Sequence, residues 1–346
     1  MLGFPEDAVA APESFLNQLL AESPPGGVIL YQRNVGTPAR VKKLAHDLEL
    51  TAGKTGAPGL LVAVDQEGGP IRRIEQGAPE VPSARTLGEE ADPADAAELA
   101  RRQARALLEL GINTNLAPVA DVVSDPASFL FERTYSGDPR EVGGYVAAVI
   151  GAQEDAGLIS VVKHFPGHGA ALGDTHEGVA RADVTLEELR DVHLLPFREA
   201  IGVGVPAVMV AHIEVAALGA VQEDAAAGGR STPGDDFEGA GGENVPASRS
   251  SAVIQGLLRE ELGFEGVVIT DDLEMGAVGR APEAAVQSLA AGADMLIIGH
   301  SPEVQLAVLE GIESAVEEGR LSAARLDEAV TRIYELKRNY GLLLEK

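Results

Sequence analysis

Short bursts of β-branched and other apolar residues alternate along the chain with longer stretches in which apolar positions recur at helical spacing. This rhythm predicts a parallel sheet covered by helices. Seven strands stand out: Val28–Tyr31, Leu60–Val64, Thr114–Leu116, Leu158–Val162, Ala207–Ala211, Val267–Thr270 and Met295–Ile298. Several of the helices between them carry their own punctuation. Asp92 as N-cap, Pro93 at the first helical position and Gly111 beyond the end bracket one of them. Thr185 with Glu188 forms a capping box for another, and the helix Ser250–Leu262 is expected to stop at Gly263. Eight strands would close a barrel, and Met1-Leu2-Gly3-Phe4 is the fragment available for the eighth. The expected architecture is therefore α/β, a single-domain (β/α)8 TIM-type barrel over residues 1–346. One segment, 216–245, is dominated by Gly, Ala, Asp and Glu and is too poor in apolar residues to order itself, so it is expected to be a mobile insertion. No short fixed period recurs, which argues against a solenoid.

At 346 residues and 45% hydrophobic composition the chain can bury a large core. No apolar run approaches the roughly 18 to 20 residues of a membrane span. Met1 to Pro5 is followed at once by Glu6 and Asp7, unlike a secretory leader, so a cytoplasmic location is expected. Acidic residues outnumber basic ones 54 to 27, a net charge of −27, which repels nucleic acid and anionic membranes. The charge is scattered and forms no acidic tail, as a solvated surface would have it. The absence of cysteine excludes disulfides, thiol catalysis and thiolate metal sites.

Polar residues collect where the strands end. The second strand ends in Asp65-Gln66-Glu67-Gly68-Gly69, the fourth in Lys163-His164, the fifth in His212 and the sixth in Asp271-Asp272. In a parallel barrel, the C-terminal strand ends carry the chemistry. The densest run is Lys163-His164-Phe165-Pro166-Gly167-His168-Gly169, continuing to Asp174-Thr175-His176. Pro166 and the glycines forbid a helix, so His164 and His168 are not a helical zinc pair. A metal site of His164, His168, Asp174 and His176 remains an open alternative. Asp174 and His176, two residues apart in a loop, suggest instead a dyad in which the carboxylate fixes the imidazole for proton transfer. Asp271, the last residue in register with its strand, is the preferred oxygen nucleophile. Asp272 is expected to turn towards solvent, and Glu67 is the rival carboxylate.

These segments resemble the short, single-domain members of glycoside hydrolase family 3, the bacterial β-N-acetylhexosaminidases. The resemblance runs through Gly27-Val28-Ile29-Leu30-Tyr31-Gln32-Arg33-Asn34, Asp65 to Gly69, Gly111 to Val119, Lys163 to Gly169, Pro246-Ala247-Ser248, Gly263 to Val267, Thr270-Asp271-Asp272-Leu273 and Ala291 to Met295. It implies Asp271 as nucleophile, Asp174 and His176 as the acid/base dyad, and Asp65, Arg73, Arg133, Lys163 and His164 as sugar ligands. Without the resemblance, Arg73 and Arg133 could equally be surface cations. The chain departs from the family pattern at Ala170-Ala171 and Val179-Ala180, on either side of the dyad.

The resemblance implies a retaining hydrolase, with no cofactor, that removes terminal β-linked N-acetylglucosamine. The implied source is peptidoglycan fragments in which this sugar is linked to anhydro-N-acetylmuramic acid. A phosphorylase on the same site is the nearest alternative, since an imidazole repels an anionic acceptor less than a carboxylate does. A metal-dependent hydrolase using His164, His168 and His176, and a non-catalytic muropeptide-binding protein, are the more distant ones. The sequence leaves the oligomeric state open.

Overall fold

The computed structural model describes residues 1–5, 14–22, 24–171, 173, 178, 180–218 and 245–343. Asp174 and His176 lie outside the described residues, as do residues 219–244 of the expected insertion.

Seven parallel strands form one sheet in sequence order: β1 (Gly27–Leu30), β2 (Leu61–Val64), β3 (Thr114–Asn115), β4 (Ile159–Phe165), β5 (Ala207–Val210), β6 (Val267–Asp272) and β7 (Met295–Ile297). Leu2 supplies the eighth position by pairing in parallel with both Val28 of β1 and Ile298 just past β7. Four backbone bonds hold it there: Leu2 N to Gly27 O, Ile29 N to Leu2 O, Gly3 N to Ile298 O, and Ile298 N to Met1 O, at 3.0 to 3.1 Å. Residues 1–4, too short to read as a strand alone, thus close the barrel by backbone pairing on both sides.

Residues of opposite parity on the strands serve opposite faces, as the pleat requires. Ile29, Leu61, Ala63, Ile159, Val161, Ala207, Met209, Val267, Ile269, Met295 and Ile297 pack together inside the barrel. Their neighbours face the helices: Val28, Leu30, Val62 and Val64 pack against Val41, Leu48 and Leu107, and Val162, Val208 and Val268 against Val146, Ile150 and Phe197. Burial on both faces is why these strands read as unbroken apolar runs.

The helix signals act as expected. Asp92 accepts hydrogen bonds from the N–H groups of Ala94 and Asp95 at the start of helix Pro93–Glu109, and Thr185 accepts from Glu188 N. The Ser250–Leu262 helix differs: over Ala252–Glu261 it is wound as a π-helix, with Leu262 N bonded to Leu257 O, and it ends before Gly263 at φ 69°. The fourth strand also runs further than its apolar pattern, through Lys163-His164-Phe165, so both polar residues belong to the sheet.

Opposite the strand ends that carry polar residues, Asp294 precedes β7 with its side chain fully buried. It binds Arg259 Nη2 at 2.7 Å, Arg325 Nη2 at 2.7 Å and Arg332 Nη1 at 3.0 Å, and accepts Val268 N–H at 3.0 Å. One carboxylate thereby ties two helices and the start of β6 to β7. Among the described residues, no helix is long and apolar enough to cross a membrane.

Candidate active site

Extending the inward-facing alternation by two residues at the C-terminal strand ends places Tyr31 beyond Ile29, Asp65 beyond Ala63, Lys163 beyond Val161 and Asp271 beyond Ile269. All four line one cavity of about 290 Å³ at that end of the barrel, close to the lower limit of roughly 300 Å³ usual for small-molecule sites. Glu67, Arg73, Arg133, His164, His168, Asp272, Glu274 and His300 line it as well. Six residues expected from the sequence (Asp65, Arg73, Arg133, Lys163, His164 and Asp271) therefore meet in one place.

A tight hairpin, Gln66–Gly68 against Ile71–Arg72, follows Asp65. Gly68 and Gly69 have φ of 111° and 52°, and a Cβ on either would stand within 2.6 Å of Pro82 or Ser83, so only glycine fits. Gln66 latches the hairpin. Its side-chain oxygen accepts the N–H groups of Arg73 and Ile74, its amide donates to Ile74 O, and its backbone exchanges hydrogen bonds with the Asn115 side chain.

The hairpin presents Glu67 to two cations. Arg133, from the short turn Phe131–Arg133, grips it in bidentate fashion at 2.8 and 2.9 Å, while Lys163 Nζ lies 2.7 Å from both Glu67 Oε1 and Asp65 Oδ1. Burial alone would raise the Glu67 carboxyl, but Arg133 and Lys163 outweigh it and hold the group far below the ordinary carboxylate range. Burial would likewise lower Lys163, yet Asp65 and Glu67 keep it above its usual value. With both oxygens engaged by cations, Glu67 anchors the site and is poorly placed to attack a substrate. Arg73 differs from Arg133. Its guanidinium enters no ion pair among the described residues, and its Nε is buried without a partner beside the cavity.

Asp271 stands across from this network. Asp272 N–H donates to its Oδ1 at 2.9 Å and orients the carboxylate. Burial pushes the Asp271 carboxyl up, but His164, His212, that N–H and Lys163 together hold it below the ordinary value. Asp272 does not turn to solvent as expected; it is buried. It accepts the N–H groups of Glu274 and Gly299 and the Tyr31 hydroxyl, each at 3.1 Å, and its Oδ2 lies 3.3 Å from His300 Nε2. Its carboxyl is raised, chiefly by burial. Two adjacent aspartates are thus pushed in opposite directions, the pattern that separates roles in a carboxylate pair.

His212 lies two residues past the end of β5 and braces β6. Its Nε2 donates to Asp272 O at 3.1 Å, and its Nδ1 lies 2.7 Å from Ser248 Oγ, which gives the Pro246-Ala247-Ser248 motif a purpose. Burial lowers the His212 pKa, and the neighbouring Asp271 opposes it. Sequence reasoning missed the supporting group formed by Asn115, Asp121, Tyr31, Ser248 and His300. Their partners are distant along the chain; Tyr31, Asn115 and Ser248 lie in the segments that carry the resemblance, but only the strand-end parity of Tyr31 pointed to the cavity.

Comparison with known proteins identifies the family. The model of the glycosyl hydrolase family 3 N terminal domain matches residues 7–336. A "Beta-hexosaminidase" of Nitrosomonas eutropha is 32% identical over 328 residues, covering 90% of this chain and 86% of the relative. Among solved structures, a glycoside hydrolase family 3 beta-N-acetylglucosaminidase from Paenibacillus sp. str. FPU-7 superposes with a TM-score of 0.88 at 37% identity; all of this chain is covered, and it spans 62% of that one. A Beta-N-acetylhexosaminidase from Beutenbergia cavernae gives a TM-score of 0.83 at 26% identity, covering 98% of this chain and 96% of that one. With its barrel and its relatives in agreement, the chain belongs to glycosyl hydrolase family 3 and is a glycoside hydrolase grouped with the β-hexosaminidases.

Proposed function

We propose that this enzyme removes terminal, non-reducing β-linked N-acetylglucosamine with retention of configuration, through a covalent glycosyl-Asp271 intermediate. The observation that carries the reading is the position of Asp271: at the inward end of β6, oriented by a backbone N–H, held ionised, and facing a cavity whose opposite wall is a carboxylate–cation network. The relatives' names supply the sugar, and peptidoglycan fragments are the substrate class proposed.

In the first step an Asp271 oxygen attacks the anomeric carbon while His176 protonates the glycosidic oxygen; the carbon–oxygen bond to the aglycone breaks and an alcohol departs. In the second, His176 removes a proton from water, the water oxygen attacks the same carbon, and the Asp271 carboxylate leaves. Asp174 holds the imidazole. Asp65, Lys163, Arg133 and His164 bind hydroxyls by charge-assisted hydrogen bonds, and Arg73 brings a donor not yet satisfied. Water, not phosphate, is the proposed acceptor. The cavity wall carries the carboxylates Asp65, Glu67, Asp271, Asp272 and Glu274 against the fixed cations Arg73, Arg133 and Lys163, an environment that disfavours a phosphate anion.

His176→Ala tests the division of labour. For an alkyl or disaccharide glycoside, kcat/KM is expected to fall about 10²- to 10⁴-fold, the usual worth of a general acid. For an activated aryl glycoside, whose leaving group needs no proton, the loss in kcat/KM is expected to be far smaller. Equal losses across a leaving-group series would remove His176 from the acid role. The same assays with a chelator, and in phosphate against a non-nucleophilic buffer, address the metal and phosphorylase alternatives. Unchanged rates with chelator and no sugar phosphate product are expected.

A further inference from the structure

One buried charge at the site has no part in the chemistry above. Asp121 lies between β3 and the Phe131–Arg133 turn and is fully shielded from solvent. A lone buried carboxylate there would be strongly destabilising, so its partners define its purpose. Its Oδ2 lies 2.7 Å from His164 Nδ1, and its Oδ1 accepts the Gly169 N–H at 3.2 Å. Burial alone would raise its carboxyl, but His164 and, more weakly, His168 hold it below the ordinary value. Being ionised, it can only accept, so His164 Nδ1 carries the proton. The other ring nitrogen, Nε2, then lies 3.5 Å from Arg133 Nη2 at the cavity wall. Gly169 is equally fixed, because a Cβ there would stand 2.4 Å from Val122 O.

We propose that Asp121 is a positioning residue that acts on the substrate through His164: it fixes the tautomer and direction of the imidazole so that Nε2 meets a sugar hydroxyl. The same carboxylate pins the His168–Ala170 turn to the segment that carries it. The proposal rests on the reading that His164 touches the sugar. It does not depend on which group attacks the anomeric carbon. In Asp121→Asn the shape is kept, but the amide can turn its NH₂ towards Nδ1 and force the opposite tautomer, as in other carboxylate–histidine pairs.

The test joins spectroscopy to a double-mutant cycle. Wild-type enzyme is expected to show a downfield imidazole N–H resonance that vanishes in both His164→Asn and Asp121→Asn. For hydrolysis of an aryl β-N-acetylglucosaminide, Asp121→Asn is expected to lower kcat/KM about 10- to 100-fold, the range seen for carboxylates that orient metal-binding histidines. Added to His164→Asn, the same change is expected to cost less than about twofold, since coupled residues do not add. A full loss in the His164→Asn background, or less than a twofold loss in the wild-type background, would overturn the proposal. Should Asp121→Asn fail to fold, a wild-type spectrum without the resonance assigned to His164 would overturn it instead. Wild-type enzyme that shows the resonance yet cleaves no N-acetylglucosaminide would refute the proposed function and still support the pairing.

Discussion

Replacing Asp271 by alanine is expected to remove turnover, lowering kcat by about 10⁴-fold or more on every glycoside, as loss of a covalent nucleophile generally does. The magnitude follows from the site. Among the described residues, no neighbouring carboxylate is free to stand in: Glu67 is engaged by Arg133 and Lys163, Asp65 by Lys163, Asp272 by Tyr31 and two backbone N–H groups, and Glu274 by the N–H groups of His300 and Ser301. A small external anion such as azide, entering the space the carboxylate leaves, is expected to restore cleavage of activated aryl substrates and to give an α-linked product. The pH profile follows from the same group. Asp271 must be ionised to attack, and its pKa is depressed, so its contribution to kcat/KM persists as pH falls and is lost only below the ordinary carboxylate range. The alkaline limb is expected to belong to His176, which must be protonated in the first step.

The second large effect concerns stability. Asp294→Ala is expected to destabilise the fold by about 3 to 5 kcal/mol, the usual cost of removing one partner from a buried ion pair. Three guanidinium groups converge on this side chain. Without it they face one another, and Val268 N–H loses its acceptor. Urea denaturation monitored by circular dichroism would measure the loss. Because Asp294 precedes β7 and lies at the end of the barrel away from the cavity, kcat at 25 °C is expected to stay within about twofold of wild type in the protein that remains folded. A stability loss below 1 kcal/mol would mean that the arginines find other partners.

Much of the fold was legible because a parallel barrel writes its strands as short apolar runs, doubly buried and bounded by capped helices. The seven strands appear where the sequence places them, and the fragment at residues 1–4 takes the eighth position. Strand ends were harder. Lys163 and His164 read as the end of the apolar run Leu158–Val162 because polar residues seldom lie inside a strand, yet β4 continues through them and Phe165 since their side chains have partners at the barrel mouth: Asp65, Glu67 and Asp121. Asp272 was misjudged for a related reason. The groups that bury it, Tyr31 and the Gly299–His300 backbone and ring, lie far away in sequence and meet it only when β1 and β7 close around the barrel. Asp121 carried no motif of its own. The parity of the strands did hold a usable signal, for the polar residue two places beyond the last inward apolar one marks the cavity on β1, β2, β4 and β6.

The most direct measurement is the identity of the residue that carries the sugar. With an activated aryl β-N-acetylglucosaminide, the His176→Ala enzyme should form the glycosyl intermediate readily and hydrolyse it slowly. Rapid acid quench, proteolysis and mass spectrometry are then expected to find one N-acetylhexosaminyl group on the peptide that contains Asp271, attached to that residue. A sugar attached to Glu67 or Asp65, or an unlabelled enzyme releasing product of inverted configuration, would contradict the mechanism.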